Sequence, residues 1–478
     1  MADDPLHYQS IAALGKSLRA GSLSPVELTK HLLARMEALD GKLNAYRLPA
    51  RERALAEARA AESALRSGQD LGPLHGIPYA AKDLYDAKDM PTTAGTHLLE
   101  GHRAAEDCTA VRRLAQAGMI LTGKTNTVQF AYGGVGINHD HGTPHNPWHE
   151  TPHVPGGSSS GSAVAVASGL VPMALGSDTG GSVRIPASLC GTTGLKTTVG
   201  RISRAGVFPL SWSLDSVGPL TRTVEDAALV YQCLQGPDLA DPTTMGVGPH
   251  DVMRGLKEGV RGLRIAFAET VFWDDVDAEV ADAVRAAGKV FEEQGAHLGG
   301  VEFPEAEEAR QLNPGGLVIA AEAYTCNKKW VEEHFDELDP IVAFRLIKGK
   351  DILAHEYLEI TLAWERLRAR ANDALRDVDV LLVPTTPIVA LPTAEVDADK
   401  DVYSRRNLAY LRNTAIGNIL KLCGLTVICG FTSAGLPIGM MIYGKAFDEE
   451  TVLRVGYAFQ QATDWHLRRP ELGWAGGA

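Results

Sequence analysis

Two short stretches rich in glycine and serine lie close together in the first half of the chain. The first, Pro155-Gly156-Gly157-Ser158-Ser159-Ser160-Gly161-Ser162, runs straight into the small apolar residues Ala163-Val164-Ala165-Val166-Ala167. A flexible linker has such a composition, but linkers usually cross polar surroundings, and this stretch is embedded in apolar sequence. A structured loop opening onto a buried segment is therefore predicted. The second stretch, Leu175-Gly176-Ser177-Asp178-Thr179-Gly180-Gly181-Ser182, sets two glycines before a serine. Glycine admits backbone conformations closed to other residues, so the N–H groups of Thr179, Gly180, Gly181 and Ser182 can converge on one developing oxyanion. That is the equipment of acyl transfer from a serine, provided a base takes the hydroxyl proton. A tight turn with a solvated serine is the alternative.

Such loops need a rigid frame. From Leu74 onward, short apolar runs punctuated by glycine and proline (Gly76–Ala81, Met119–Leu121, Leu170–Leu175) alternate with helical stretches, and further strand candidates follow at Val378–Val383, Thr426–Cys429 and Gly439–Tyr443. This pattern predicts an α/β fold, a large mixed sheet with helices over it, that recruits both ends of the sequence into one domain spanning 1–478. Helices are expected at about 8–68: Ser24-Pro25-Val26-Glu27 reads as a capping box with proline in the first turn, and Leu28, Leu32, Met36 and Leu39 share one face. The Ala-, Glu- and Arg-rich segment 50–67 reads as a largely exposed helix. Between about 240 and 375 the chain is more charged and reads as helical, with amphipathic segments Asp275–Gln294 and His355–Leu375 and no reaction signature.

The run GGSSSGSAVAVASG followed by ALGSDTGGSVRIPA resembles the signature of the amidase-signature family, which includes amidases and the glutaminase components of transamidosomes. Ser158 and Ser182 are 24 residues apart, as are the family's relay and nucleophile, and Gly76-Ile77-Pro78-Tyr79-Ala80-Ala81-Lys82-Asp83 resembles its lysine motif. The similarity covers about 8–235 and 376–470, and the stretch 240–375, which often shapes the substrate pocket in this family, matches poorly. Gln129 stands where many relatives have Glu, Thr197 replaces a common Pro, and Gly424–Phe431 lacks a frequent Pro. The resemblance implies a single amidase-signature fold with helices on both faces of the sheet. It also implies Ser182 as nucleophile, Ser158 as proton relay behind a cis Gly157-Ser158 bond, and Lys82 as base. Lys82 can serve only when neutral, which suits its apolar flank Ile77–Ala81, because burial disfavours the charged form. Asp178, Arg184 and Ser159 would organise the loops, and Phe208 and Trp212, with the helical region 310–365, are candidate pocket elements. The implied substrate is a small amide, with aryl amides and carbamates (urethanase activity) included, and no cofactor or metal is needed.

The net charge of −13, without a Lys/Arg-rich block, disfavours nucleic acid as a ligand. No apolar run approaches the roughly 20 residues of a membrane-spanning helix, and the first residues are polar and acidic, so a cytoplasmic protein is expected. Six scattered cysteines fit reduced, mostly buried thiols, and a homodimer stays open. Rival readings exist. Gly157–Gly161 satisfies the G-x-S-x-G elbow with Ser159 as nucleophile, but His153-Val154-Pro155 stands where a strand is required. No G-K-[ST] follows to make a phosphate loop. Five histidines (His139, His141, His145, His149, His153) would suit a metal-binding protein, although prolines interrupt them and no H-E-x-x-H helix is present. The nearest enzymatic rival is the glutaminase subunit of a tRNA-dependent amidotransferase, which shares all three motifs and needs partner subunits.

Overall fold

The computed structural model describes residues 4–476. Eleven strands join in one sheet: β1 (Tyr46–Pro49), β2 (Pro78–Lys82), β3 (Ile120–Thr125), β4 (Met173–Asp178), β5 (Thr193–Lys196), β6 (Ser216–Thr221), β7 (Arg264–Ala268), β8 (His297–Val301), β9 (Val380–Pro384), β10 (Cys423–Phe431) and β11 (Pro437–Gly444). Their spatial order is β1-β3-β2-β4-β6-β5-β10-β11-β9-β7-β8. The trio β3-β2-β4 is parallel, as is β9-β7-β8, and antiparallel pairings between β4 and β9 connect the two.

Alternate residues of the central strands feed different cores, the sign of a sheet covered on both faces. Tyr79 and Ala81 of β2, Leu175 of β4 and Met440 and Ile442 of β11 enter one cluster. Ala80 and Ala174 enter a second, and Met441 and Tyr443 a third. The expected mixed α/β architecture is therefore present, and each of the six strand candidates overlaps a strand.

Local chemistry accounts for the N-terminal helices. Ser24 caps the helix Pro25–Leu43: its hydroxyl accepts the N–H groups of Val26 (3.0 Å) and Glu27 (3.3 Å), and the Glu27 carboxylate accepts the Ser24 N–H at 3.2 Å. The helix Arg51–Arg66 is less detached than its composition predicts. It buries an alanine stripe, Ala54, Ala58 and Ala61, and Glu57 accepts the Leu121 N–H of β3 at 2.8 Å. The larger departure lies in 240–375, which is not helical throughout: β7 and β8 extend the sheet there, next to β9. β7 is a short buried Ile-Ala-Phe-Ala run, and β8 is a mostly exposed edge with two glycines, so neither carries a strong strand pattern. The six cysteines are unbridged; four are buried, while Cys233 and Cys326 are partly exposed. Among the described residues no helix is long and apolar enough to cross a membrane.

One buried helix, Ser160–Ala167, packs unusually close to its neighbours. A Cβ on Gly161 would stand 2.2 Å from the Ala45 carbonyl oxygen and 2.5 Å from the Asn126 nitrogen. Gly161→Ala is accordingly expected to destabilise the protein by about 3 kcal/mol, the upper range for overpacking, read as a fall in the urea midpoint. Gly41→Ala, in the helix Pro25–Leu43 with open space around the position, is expected to stabilise by about 0.5–1 kcal/mol.

Candidate active site

β2 and β4 run parallel side by side, Ala80 opposite Ala174 and Ala81 opposite Leu175. Their carboxyl ends therefore deliver Lys82 and the Ser177-Asp178 pair to the same edge of the sheet, where open α/β sheets place their ligands. Lys82 has no exposed surface. Its Nζ donates to Ser158 Oγ at 2.7 Å and to Ser177 Oγ at 2.9 Å. The adjacent carboxylate of Asp83 is engaged elsewhere, with the Lys124 ammonium at 2.8 Å and the Thr93 hydroxyl. Burial lowers the Lys82 pKa from 10.5 to about 7, against the opposing influence of the Asp215 and Asp178 carboxylates. Ser177, which sequence reading passed over, is thus a direct partner of the lysine.

Ser158 follows a cis peptide bond from Gly157. Its carbonyl accepts from the Thr127 hydroxyl (2.9 Å) and the Val128 N–H (3.3 Å), and the Gly157 N–H donates to Gly134 O at 2.8 Å. Ser159 joins the two serine loops: its N–H donates to the Ser182 carbonyl at 3.2 Å, and its hydroxyl accepts the Ser177 N–H at 3.3 Å. Ser158 Oγ hydrogen-bonds Lys82 and not Ser182, whose side chain is 5% exposed.

A fully buried ion pair shapes the Ser182 loop. Asp178 takes Arg184 through Nη2 (2.9 Å) and Nε (3.0 Å), and also accepts the backbone N–H groups of Gly181 (2.9 Å) and Val183 (3.1 Å). Burial pushes this carboxyl up, but the Arg184 guanidinium more than offsets it and holds Asp178 well below the usual carboxylate range. The ion pair is fastened from the far end of the chain: Arg184 donates to Asn418 Oδ1 (2.6 Å) and Tyr443 OH (2.8 Å), and Thr414 donates to the Gly180 carbonyl (2.6 Å). Gly181 sits at φ +140°, where a Cβ would meet Thr414 Oγ1 at 2.2 Å. One expectation changes as a result. The Gly181 N–H is committed to Asp178, whereas those of Thr179, Gly180 and Ser182 have no acceptor among the described residues, leaving three candidate oxyanion donors instead of four.

Beside Ser177 and Thr179 opens a cavity of about 360 Å³, lined by Phe208, Trp212 and apolar neighbours including Leu84, Val207 and Val217. Phe208 stacks on Phe130 at 5.7 Å, and Trp212 is 71% exposed at the rim. The segment 310–365 reaches this wall through Glu322, which accepts the Ser213 N–H (3.1 Å), the Ser211 hydroxyl and the Tyr357 hydroxyl (2.6 Å). Asp215, a cavity residue that sequence reading also passed over, accepts the Thr179 hydroxyl (2.6 Å) and the N–H groups of Leu210 and Ser211 (2.9 Å each).

The five histidines between 139 and 153 do not converge. His139 lies between Asp339 (2.6 Å) and Asp397 (3.0 Å), His145 contacts the His149 carbonyl (2.9 Å), and His153 contacts the Thr151 carbonyl (2.8 Å).

Known proteins match this chain along most of its length. The family model described as Amidase matches residues 27–453. An amidase of Pseudomonas putida is 40% identical, over 98% of both chains. The A-type component of glutamyl-tRNA(Gln) amidotransferase from Chloroflexus aggregans is 38% identical, over 98% of this chain and 99% of its own. A solved bacterial aryl acylamidase of the amidase-signature enzymes superposes with a TM-score of 0.87 at 27% identity, covering 98% of this chain and 100% of the other. With the model spanning most of its length and these relatives matched end to end, the chain belongs to the amidase-signature family.

Proposed function

We propose that the protein is a serine amidohydrolase that cleaves C–N bonds of small amides, aryl amides and aryl carbamates among them, through an acyl-enzyme on Ser182. The observation that carries this reading is the buried Lys82, held against Ser158 Oγ at 2.7 Å, with burial bringing its pKa to about 7. A neutral amine there accepts the Ser158 proton while Ser158 accepts that of Ser182, and the Ser182 oxygen attacks the carbonyl carbon. The N–H groups of Thr179, Gly180 and Ser182 stabilise the oxyanion. The proton returns through Ser158 to the departing nitrogen, which cannot leave as an amide anion, and water then releases the acyl group by the same relay. Ser177 supports the neutral lysine without taking part in bond chemistry.

The cavity favours an uncharged, largely apolar group in the substrate. Its charged side chains are engaged with the protein: Asp215 as described, Arg204 with Asp241 and with the carbonyls of Trp212 (2.8 Å) and Asp215 (3.2 Å), and Asp241 with Thr243 and the Arg204 N–H. Glutamine recognition needs groups free to meet an α-ammonium and an α-carboxylate. Identity to the amidotransferase component supports the second reading, a glutaminase that works with partner subunits; the cavity's chemistry favours the first.

Three outcomes are expected. Wild type hydrolyses a panel of aryl amides and aryl carbamates and is labelled once by a serine-reactive phosphonate. Ser182→Ala loses both activity and label, and a labelled, active variant would overturn the nucleophile assignment. Second, kcat/KM rises as pH increases through about 7, because Lys82 acts only after losing its proton, and the limb is absent from the residual activity of Lys82→Met, lower by roughly 10²–10⁴-fold. Third, Trp212→Ala and Phe208→Ala reorder the substrate panel while glutamine stays a poor substrate with or without candidate partner subunits; glutaminase activity that appears on adding partners would select the second reading.

A further inference from the structure

Among the described residues, His141 is the member of the histidine run whose ligating atom converges with those of two other metal-ligand side chains, and both come from a distant part of the sequence. His97 and Glu100 occupy the short turn after Thr96, and one ligating atom from each of His97, Glu100 and His141 lies within 4.8 Å of the others. The His97 and His141 rings meet edge to face at 4.6 Å, and His97 Nδ1 stands 3.0 Å from Glu100 Oε1. A separate observation points to a ligand here: His141 Nε2 is buried and has no hydrogen-bond partner. Buried imidazole nitrogens without a partner are uncommon in folded proteins. We propose that His97, Glu100 and His141 form a binding site for a divalent transition-metal ion of the zinc class, made of residues that take no part in the hydrogen bonds of Lys82.

The donor set suits such an ion. Two imidazoles and a carboxylate are ordinary zinc ligands, bonded at about 2.0–2.2 Å, with a solvent-facing position left for water. His97 and Glu100 are exposed, so rotation of their side chains closes the remaining distance, and the His141 backbone is already fixed by its N–H bond to Asn138 Oδ1 at 2.7 Å. The one opposing group is Arg47, which pairs with Glu100 at 2.6 Å and competes with the ion for that carboxylate. The site joins two segments whose inner ends brace the relay serine. Asn138 donates to the carbonyls of Gly95 (2.8 Å) and Thr127 (2.6 Å), and the Thr127 hydroxyl holds the Ser158 carbonyl. An ion here adds stability to this brace and leaves the proton relay as it is.

The test uses the full chain without a histidine tag. Equilibrium dialysis with Zn²⁺, and the visible absorption of Co²⁺, are expected to report one ion per chain, with a raised melting temperature in the presence of the metal. His97→Ala and His141→Ala are each expected to weaken binding at least about tenfold and to remove the thermal shift, with amide hydrolysis unchanged; His97 is exposed, so its variant leaves the core intact. Arg47→Ala, which frees Glu100, is expected to tighten binding. Absence of stoichiometric binding to wild type, or binding that survives both histidine variants unchanged, would overturn the site.

Discussion

Placing a lysine where it has no exposed surface and only two hydroxyls to bond disfavours its charged form, and the proposed catalytic arrangement depends on that constraint. Three lysines in this fold are fully buried and are accommodated in different ways. Lys124 pairs with Asp83 at 2.8 Å, so its neighbour is a carboxylate. Lys196 donates to the carbonyls of Thr197 and Leu422, and burial, with the Arg184 charge, lowers its pKa to about 8. Lys82 has neither a carboxylate in contact nor a carbonyl, and its pKa falls furthest. Asp83 shows how narrowly this is arranged: it follows Lys82 in sequence, yet it lies in the turn just past the end of β2 and its carboxylate meets Lys124, so Lys82 is left without a carboxylate in contact.

The second requirement is a Ser182 loop that keeps its shape without help from substrate. Residues 178–184 cannot supply this alone, because a buried aspartate and a buried arginine each need more partners than the other provides. The remaining hydrogen bonds come from Thr414, Asn418 and Tyr443, more than 230 residues later in the chain. β10 and β11 bring that segment beside β5, and the helix Lys400–Ile419 lays Thr414 and Asn418 over the loop. The sheet's mixed topology thus has a direct consequence at the site: the antiparallel strands between β4 and β9 bring the late chain onto the early catalytic loops.

Much of this was legible before any fold was known, for a physical reason. Loops that need glycine for close approach and serine for chemistry leave a dense local pattern, as at 156–162 and 176–182, and the Ser24 cap is likewise written within four residues. Features that depend on two distant segments were not legible. Ser177 is an ordinary serine until β2 and β4 are known to be parallel neighbours in a particular register. The Gly181 N–H is a natural oxyanion donor until Asp178 is seen to take it. β7 and β8 are too short, and β8 too exposed, for their pattern to outweigh the helical composition around them. The histidine run was conspicuous in sequence, yet His145 and His153 have local partners, His139 pairs with carboxylates 200 and 258 positions downstream, and His141 turns to a residue 44 positions upstream.

The cavity is built from two parts of the chain. Residues of the signature motifs surround Lys82, Ser158 and Ser182, whereas the segment 310–365 reaches the cavity wall through Glu322 and its grip on the 211–213 turn. Trp212, in the middle of that turn, has both neighbours fastened to Glu322 and its own ring exposed at the rim. Changes in the helix Leu317–Glu333 therefore reposition an aromatic rim without disturbing a hydrogen bond to Lys82, Ser158 or Ser182. Asp215 is the remaining link: it fixes the base of the same turn through the N–H groups of Leu210 and Ser211 and also holds the Thr179 hydroxyl beside the oxyanion donors. On the proposed mechanism, substrate selection is free to vary on the Glu322 side of the turn, while the Asp215 side is tied to the geometry of catalysis.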